Sequence, residues 1–221
     1  KKIFLGKITY WSHPEIQALN PKWRIPPIPI TVVHRADGAG TTYIFTRYLA
    51  QKSKEWANRV GSGMAVKWPV GLGGKGNDGV AMYVQSIEGA IGYVEYVYTK
   101  NNKGLQPIAM LNRDNQFVLP SISTMSHAVE SMTWDTMNEG VIDSSASNAW
   151  PLTGVSYLLL PKSIKPSEVL KYQALLAFIT WCLTYGDEDA HDLGYVMNSQ
   201  MMRHRILEFL HQPFTFIPED L

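Results

Sequence analysis

A strand-forming run, Ile30-Thr31-Val32-Val33-His34, passes without a spacer into Arg35-Ala36-Asp37-Gly38-Ala39-Gly40-Thr41-Thr42. That turn passes straight into Tyr43-Ile44-Phe45-Thr46-Arg47-Tyr48-Leu49-Ala50 at helical spacing. β-branched side chains favour a buried strand, so the segment reads as strand, glycine turn, helix. Strands and helices go on alternating on both sides of it, which favours a mixed α/β architecture over an all-α or all-β one.

Upstream, Ser12 is a candidate cap and Pro14 a first-turn residue for a short helix through Leu19, stopped at Asn20-Pro21. Downstream, the pattern predicts a helix over 53–59, a strand over 65–68, a helix over 80–85 capped by Asn77 or Asp78, and a strand over 90–94. Tyr93, Tyr96 and Tyr98 alternate with Val94 and Val97 as a packed sheet edge would, with Glu95 among them as a candidate buried carboxylate. Later come a helix over 126–132, an apolar strand over 155–160, the clearest long helix over 168–185 and a last helix over 199–210. The long helix places Leu170, Ala174, Leu175, Phe178, Trp181 and Cys182 on one apolar side and stops at Gly186.

The turn carries the strongest chemical signal. A helix start presents backbone N–H groups without intrahelical partners and the positive end of the helix dipole, and glycines let the backbone come close to an anion. A phosphate fits there. Arg35 offers a bidentate fork, Thr41 and Thr42 offer hydroxyl donors, and Asp37 either holds the guanidinium or accepts a proton from HPO4²⁻. On the pattern alone a plainer reading stays equally open, in which a threonine caps the helix and Arg35–Asp37 is a surface ion pair. The turn lacks the Lys-Ser/Thr ending of a P-loop and the spacing of a dinucleotide fingerprint. The glycine-rich loop 71–79 is either a second phosphate cradle with Lys75 as counter-charge or a tight connection capped by Asn77, and the connection is preferred.

Composition limits the alternatives. With 45% hydrophobic and 18% charged residues the chain has the makings of a core and not of a disordered segment. Its 20 basic and 19 acidic residues, net charge +1, give no global field to gather nucleic acid or anionic membrane, so any anion is held by local geometry. The lone Cys182 can form no internal disulfide and reads as a core residue, and the histidines lie scattered without metal-ligand spacing. Asp187-Glu188-Asp189 reads as a solvated turn or helix start, and no set of acid, base and nucleophile emerges. No catalytic residue, metal or cofactor is expected. No stretch approaches the roughly 20 apolar residues that span a bilayer, and residues 1–7 are too short an apolar run for a signal segment. Without an initiator methionine, the chain is expected to be a processed product or a fragment.

Several segments together resemble a known family. The run Ile3-Phe4-Leu5-Gly6-Lys7-Ile8, then Trp11, Leu19-Asn20-Pro21 and Val32-Val33-His34 through Thr42 are similar to the phosphate-binding component of the bacterial phosphate ABC importer. So are Val66-Lys67-Trp68-Pro69 with loop 71–79, Gly89-Ala90-Ile91-Gly92-Tyr93-Val94-Glu95-Tyr96, Trp150-Pro151-Leu152 and the helix of Trp181. The resemblance implies a periplasmic-binding-protein-like, type II, two-lobe α/β fold that closes on dehydrated phosphate, here one lobe plus part of the other. Residues 1–155 would be the second lobe, and 156–221 the C-terminal part returning to the first. It implies that Arg35 bonds the phosphate, that Asp37 holds Arg35, and that Ala39, Gly40 and Thr41 supply backbone and hydroxyl donors.

Two departures bear on that implication. Ala39 stands where the family usually has serine, which removes one hydroxyl, and the resemblance begins well inside the family sequence. About the first third, with the opposite cleft wall and its specificity carboxylate, is expected to be missing. The implied partners are inorganic phosphate and the importer's permease subunits, with no nucleic acid. The implied location is the bacterial periplasm, free or lipid-anchored through the missing N-terminus. A truncated scaffold or interaction module is the alternative, and a phosphoryl-transfer enzyme the least favoured reading, since metal ligands and a base are lacking.

Overall fold

The computed structural model describes residues 1–135 and 141–218, and the chain divides into two compact units, Lys1–Met110 and Leu111–Leu221. The first unit runs through helix α1 (Pro14–Leu19), strand β1 (Thr31–Arg35), helices α2 (Gly40–Lys52) and α3 (Lys54–Arg59), strand β2 (Leu72–Gly74), helix α4 (Gly76–Ser86), strand β3 (Ala90–Ile91) and helix α5 (Tyr96–Asn101). Its strands form a parallel sheet in the order β2-β1-β3, with Arg35 opposite Gly74 on one side of β1 and Val32 opposite Ile91 on the other. Val32 and Val33 point to opposite faces and are both buried, as expected of a central parallel strand covered on both faces.

An aromatic chain fills the space beside the sheet. Phe4 meets Phe45 edge-on at 4.8 Å, Phe45 stacks on Tyr93 at 4.7 Å, Tyr93 on Trp68 at 5.8 Å, and Trp68 on His34 at 4.8 Å. Trp56 of α3 and Val80 of α4 are completely buried. The close approach of β2 to β1 depends on Gly71, whose φ is +116° and where a Cβ would lie 2.7 Å from the Val32 carbonyl oxygen.

The second unit holds helices α6 (Ile122–Glu130), α7 (Val169–Tyr185), α8 (Asp187–Asp192) and α9 (Gln200–Leu210). Ser121 caps α6 in a reciprocal box with Thr124, and Ser199 caps α9. Ala128, Met132, Val141, Ala149 and Met202 make its buried core. A short parallel pair, Ser163–Ile164 with Thr215–Phe216, lies outside that cluster. Among the described residues no helix is long and apolar enough to cross a membrane.

Several local expectations change. His13, not Ser12, caps α1, its Nδ1 accepting from Glu15 N–H at 3.3 Å. No strand forms over 65–68: Pro69 has no N–H for a ladder, Trp68 is drawn onto His34, and the pairing with β1 falls to the glycines of β2. Tyr96 and Tyr98 lie in helix α5, not on a sheet edge, because Tyr93 turns into the aromatic chain and ends the alternation. Residues 155–160 are apolar but do not form a strand, and Leu158 and Leu159 are exposed. Helix α7 forms as expected, yet its supposed core side is largely exposed at Leu170, Phe178 and Trp181, while Ile179 is the residue it buries. That helix is apolar nearly all round, so its periodicity selects no face.

Candidate functional site

Ligands of open parallel sheets lie beyond the carboxyl ends of the strands. Here β1 ends at Arg35 beside the end of β2 at Gly74, and each strand leads to a helix start, α2 at Gly40 and α4 at Gly76. Strand register therefore delivers the guanidinium and two helix N-termini to one edge. Tyr93 ties them down: its hydroxyl accepts the Arg35 N–H at 3.1 Å and pairs with Thr42 Oγ1 at 2.7 Å. Burial pushes the Tyr93 phenol above its ordinary pKa, which keeps that hydroxyl neutral.

Arg35 is the hub. Its side chain is 11% exposed. Nε donates to Asp37 Oδ1 at 2.9 Å and Nη2 donates to Asp37 Oδ2, a bidentate clamp. Nη1 donates to Thr41 Oγ1 at 3.1 Å and to Asn77 Oδ1 at 3.3 Å. Asp37 Oδ1 also accepts the Gly76 N–H at 3.0 Å. The bond from Arg35, then that from Gly76, hold the Asp37 carboxyl well below the usual carboxylate range, and the bond to Asp37 raises Arg35 in turn. In this structure Asp37 thus holds the guanidinium through both of its oxygens.

Ala39 is the N-cap of α2 and makes no side-chain capping bond. Its own N–H donates to the Met64 carbonyl at 2.8 Å, so at this position the implied backbone donor is engaged within the protein. The N–H groups of Gly40 and Thr41 have no carbonyl one turn back to receive them, and a Cβ placed on Gly40 would meet nothing within 4 Å. Thr41 Oγ1 accepts from Arg35, which leaves its hydroxyl proton to be donated outward. Thr42, read from sequence as another donor, is buried against Tyr93 and faces away from the turn's mouth. An open recess of ≈ 340 Å³ adjoins the clamp, lined by His34, Arg35, Ala36, Asp37, Ala65, Val66 and Trp68.

The structure therefore brings Arg35, Asp37, Gly40 and Thr41 together and commits the Ala39 N–H elsewhere. In loop 71–79, considered above as a second cradle, the Gly76 N–H is taken by Asp37. Asn77 and Asp78 do not cap α4; Lys75 is its N-cap, and Asn77 lies in the first turn with its amide on Arg35 and Glu95. The sequence reading missed Asn77, Glu95 and Tyr93 as parts of this cluster; the signals were a side-chain amide at a glycine-flanked helix start, which capping chemistry explained equally well, and a carboxylate among tyrosines, which a packed sheet edge explained. Among the described residues no group of three or more His, Cys, Asp and Glu side chains is arranged to hold a metal ion.

A family profile described as a PBP superfamily domain matches residues 1–184. A phosphate-binding protein PstS of Xylella fastidiosa is 41% identical over 197 residues, covering 88% of this chain and 53% of that protein. The protein of the same name from Haemophilus influenzae is 43% identical over 198 residues, 88% of this chain and 58% of that one. A solved high-affinity periplasmic phosphate-binding protein bound with phosphate superposes with a TM-score of 0.63 at 16% identity, over 93% of this chain and 62% of that one, a likeness of fold. The chain spans about half the length of the curated relatives it matches.

Proposed function

Because this chain belongs to the PBP superfamily and has its α/β, type II fold, we propose that it binds inorganic phosphate as the solute-binding component of an ABC phosphate importer. The observation that carries the proposal is the pre-set guanidinium: Arg35, clamped by Asp37 and bonded to Thr41, stands at the start of α2 where the Gly40 and Thr41 N–H groups lack intrahelical partners. A tetrahedral oxyanion there takes the outward proton of Nη2, the two backbone N–H groups and the Thr41 hydroxyl, all donors, with the helix dipole adding attraction. Relatives about 40% identical bear the name phosphate-binding protein.

The role is binding and not catalysis, since Arg35, Asp37 and Thr41 are engaged with one another and none is poised as a nucleophile beside a base. Residues 1–155 make up the second lobe of such a protein and 156–221 return to the first. A facing wall would then supply the acceptor that distinguishes a protonated phosphate from sulfate. The partners are the importer's permease subunits, and the place of action is the bacterial periplasm. Isothermal titration of the protein expressed from its complete gene, with phosphate, sulfate and nucleotides, tests this: tight, saturable phosphate binding with sulfate excluded is expected. Tight nucleotide binding with indifference to phosphate would overturn it.

A further inference from the structure

Arg35 is held from a direction that the turn itself does not supply. Asn77, from the first turn of α4, accepts Arg35 Nη1 at 3.3 Å through Oδ1 and donates Nδ2 to Glu95 Oε1 at 3.0 Å. Glu95 ends the extended segment that leads into α5, so the contact joins the ends of three successive strand–helix units to one guanidinium. The geometry points to Asn77, oriented by Glu95, as the residue that positions Arg35 for phosphate.

The carboxylate fixes the amide's direction. Turned over, Asn77 would set its NH2 against the Nη1 protons and its oxygen against Glu95, losing two bonds and creating two repulsions. With the amide fixed, one Nη1 proton is aimed at α4 and the other at Thr41, while Asp37 takes Nε and one Nη2 proton. What remains of the fork is the second Nη2 proton, and the plane of the guanidinium is set on three sides before any anion arrives. Binding then costs little reorganisation of the hub, which is the means by which a rigid donor set gains affinity. Asp37 alone would leave the fork free to pivot about the clamp.

This inference rests on the phosphate-binding reading, and the test has one arm that does not. In the unliganded protein, NMR of the Arg35 guanidinium should show slow rotation about its Nε–Cζ bond, and Asn77→Ala should accelerate it with Asp37 still in place. In phosphate titrations Asn77→Ala should raise Kd roughly ten-fold, the loss of one charge-assisted bond. Glu95→Gln, which keeps an acceptor for Asn77, should stay within about two-fold of wild type, and Glu95→Ala should follow Asn77→Ala. In an Arg35→Lys background, which keeps the charge but has no planar fork to orient, Asn77→Ala should add no further loss. Unchanged Arg35 rotation in Asn77→Ala, or an equal loss of affinity in both backgrounds, would overturn the inference and leave Asn77 a structural residue of α4. Should the wild-type protein fail to bind phosphate at all, the proposed function falls and the rotation measurement decides the role of Asn77 by itself.

Discussion

At Arg35 charge, burial and hydrogen bonding all act on one group. Removing it leaves Asp37 and Thr41 without their partner and deprives the anion of its cation, so Arg35→Ala should weaken phosphate binding by about 2–5 kcal/mol, as measured by titration calorimetry. Unchanged affinity would mean that the guanidinium serves only the fold. Asp37 makes a pH prediction with a definite sign. Its folded value is depressed, so the clamp is fully present above the ordinary aspartate pKa of about 3.9 and is lost only as pH falls through the lower folded value. Carbon-13 NMR of the Asp37 carboxyl should show it ionised through the range in which exposed aspartates titrate; normal titration would remove the clamp. Gly40 separates fold from function. Open space surrounds its would-be Cβ, so Gly40→Ala should leave stability unchanged or raised by up to about 1 kcal/mol and still weaken phosphate binding, because the methyl occupies the anion's approach. Unaltered binding in a folded Gly40→Ala protein would place the anion elsewhere.

Among the elements, β1 followed by α2 was legible because strand-forming residues, glycines and helical spacing agree within a short stretch, and the structure forms β1 at Thr31–Arg35 and α2 at Gly40–Lys52. Helices α3, α7 and α9 were legible from helical spacing and, for α7, from Gly186 as its stop, and the structure shows that Ser53 caps α3 and Ser199 caps α9. The second strand was not. Its pairing runs through Leu72-Gly73-Gly74, residues of poor strand propensity, where a Cβ on Gly73 would lie 3.1 Å from the Cβ of Ala36 and one on Gly74 would lie 2.7 Å from the carbonyl carbon of Gly79 in α4, so close packing around the strand favours glycine. The position of Asn77 was hidden for a related reason: its partners, Arg35 and Glu95, are far off in sequence, and only strand order brings them together. Gly71 tests this account of β2. A methyl there meets the Val32 carbonyl at 2.7 Å with φ at +116°, so Gly71→Ala should destabilise the protein by on the order of 1–3 kcal/mol in denaturant unfolding. A wild-type midpoint would show that β2 does not depend on that approach.

For the molecule as a whole, two features pull in different directions. The first unit is closed around its aromatic chain, while on α7 of the second unit Leu170, Phe178, Trp181 and Tyr185 lie exposed along one helix face. Apolar area of that kind is uncommon on a monomer in solution, so light scattering of this 221-residue chain should show concentration-dependent association that Phe178→Lys with Trp181→Lys reduces. A monodisperse wild-type chain would contradict the expectation. The central claim, that the start of α2 beside Arg35 holds inorganic phosphate, is tested most directly by following the backbone amides of Gly40 and Thr41 by nitrogen-15 NMR during a phosphate titration of the protein expressed from its complete gene. Both amides should shift and saturate together with the Arg35 side chain, and sulfate should leave them unmoved. Saturable phosphate binding that leaves these amides in place, or no binding at all, would contradict the account.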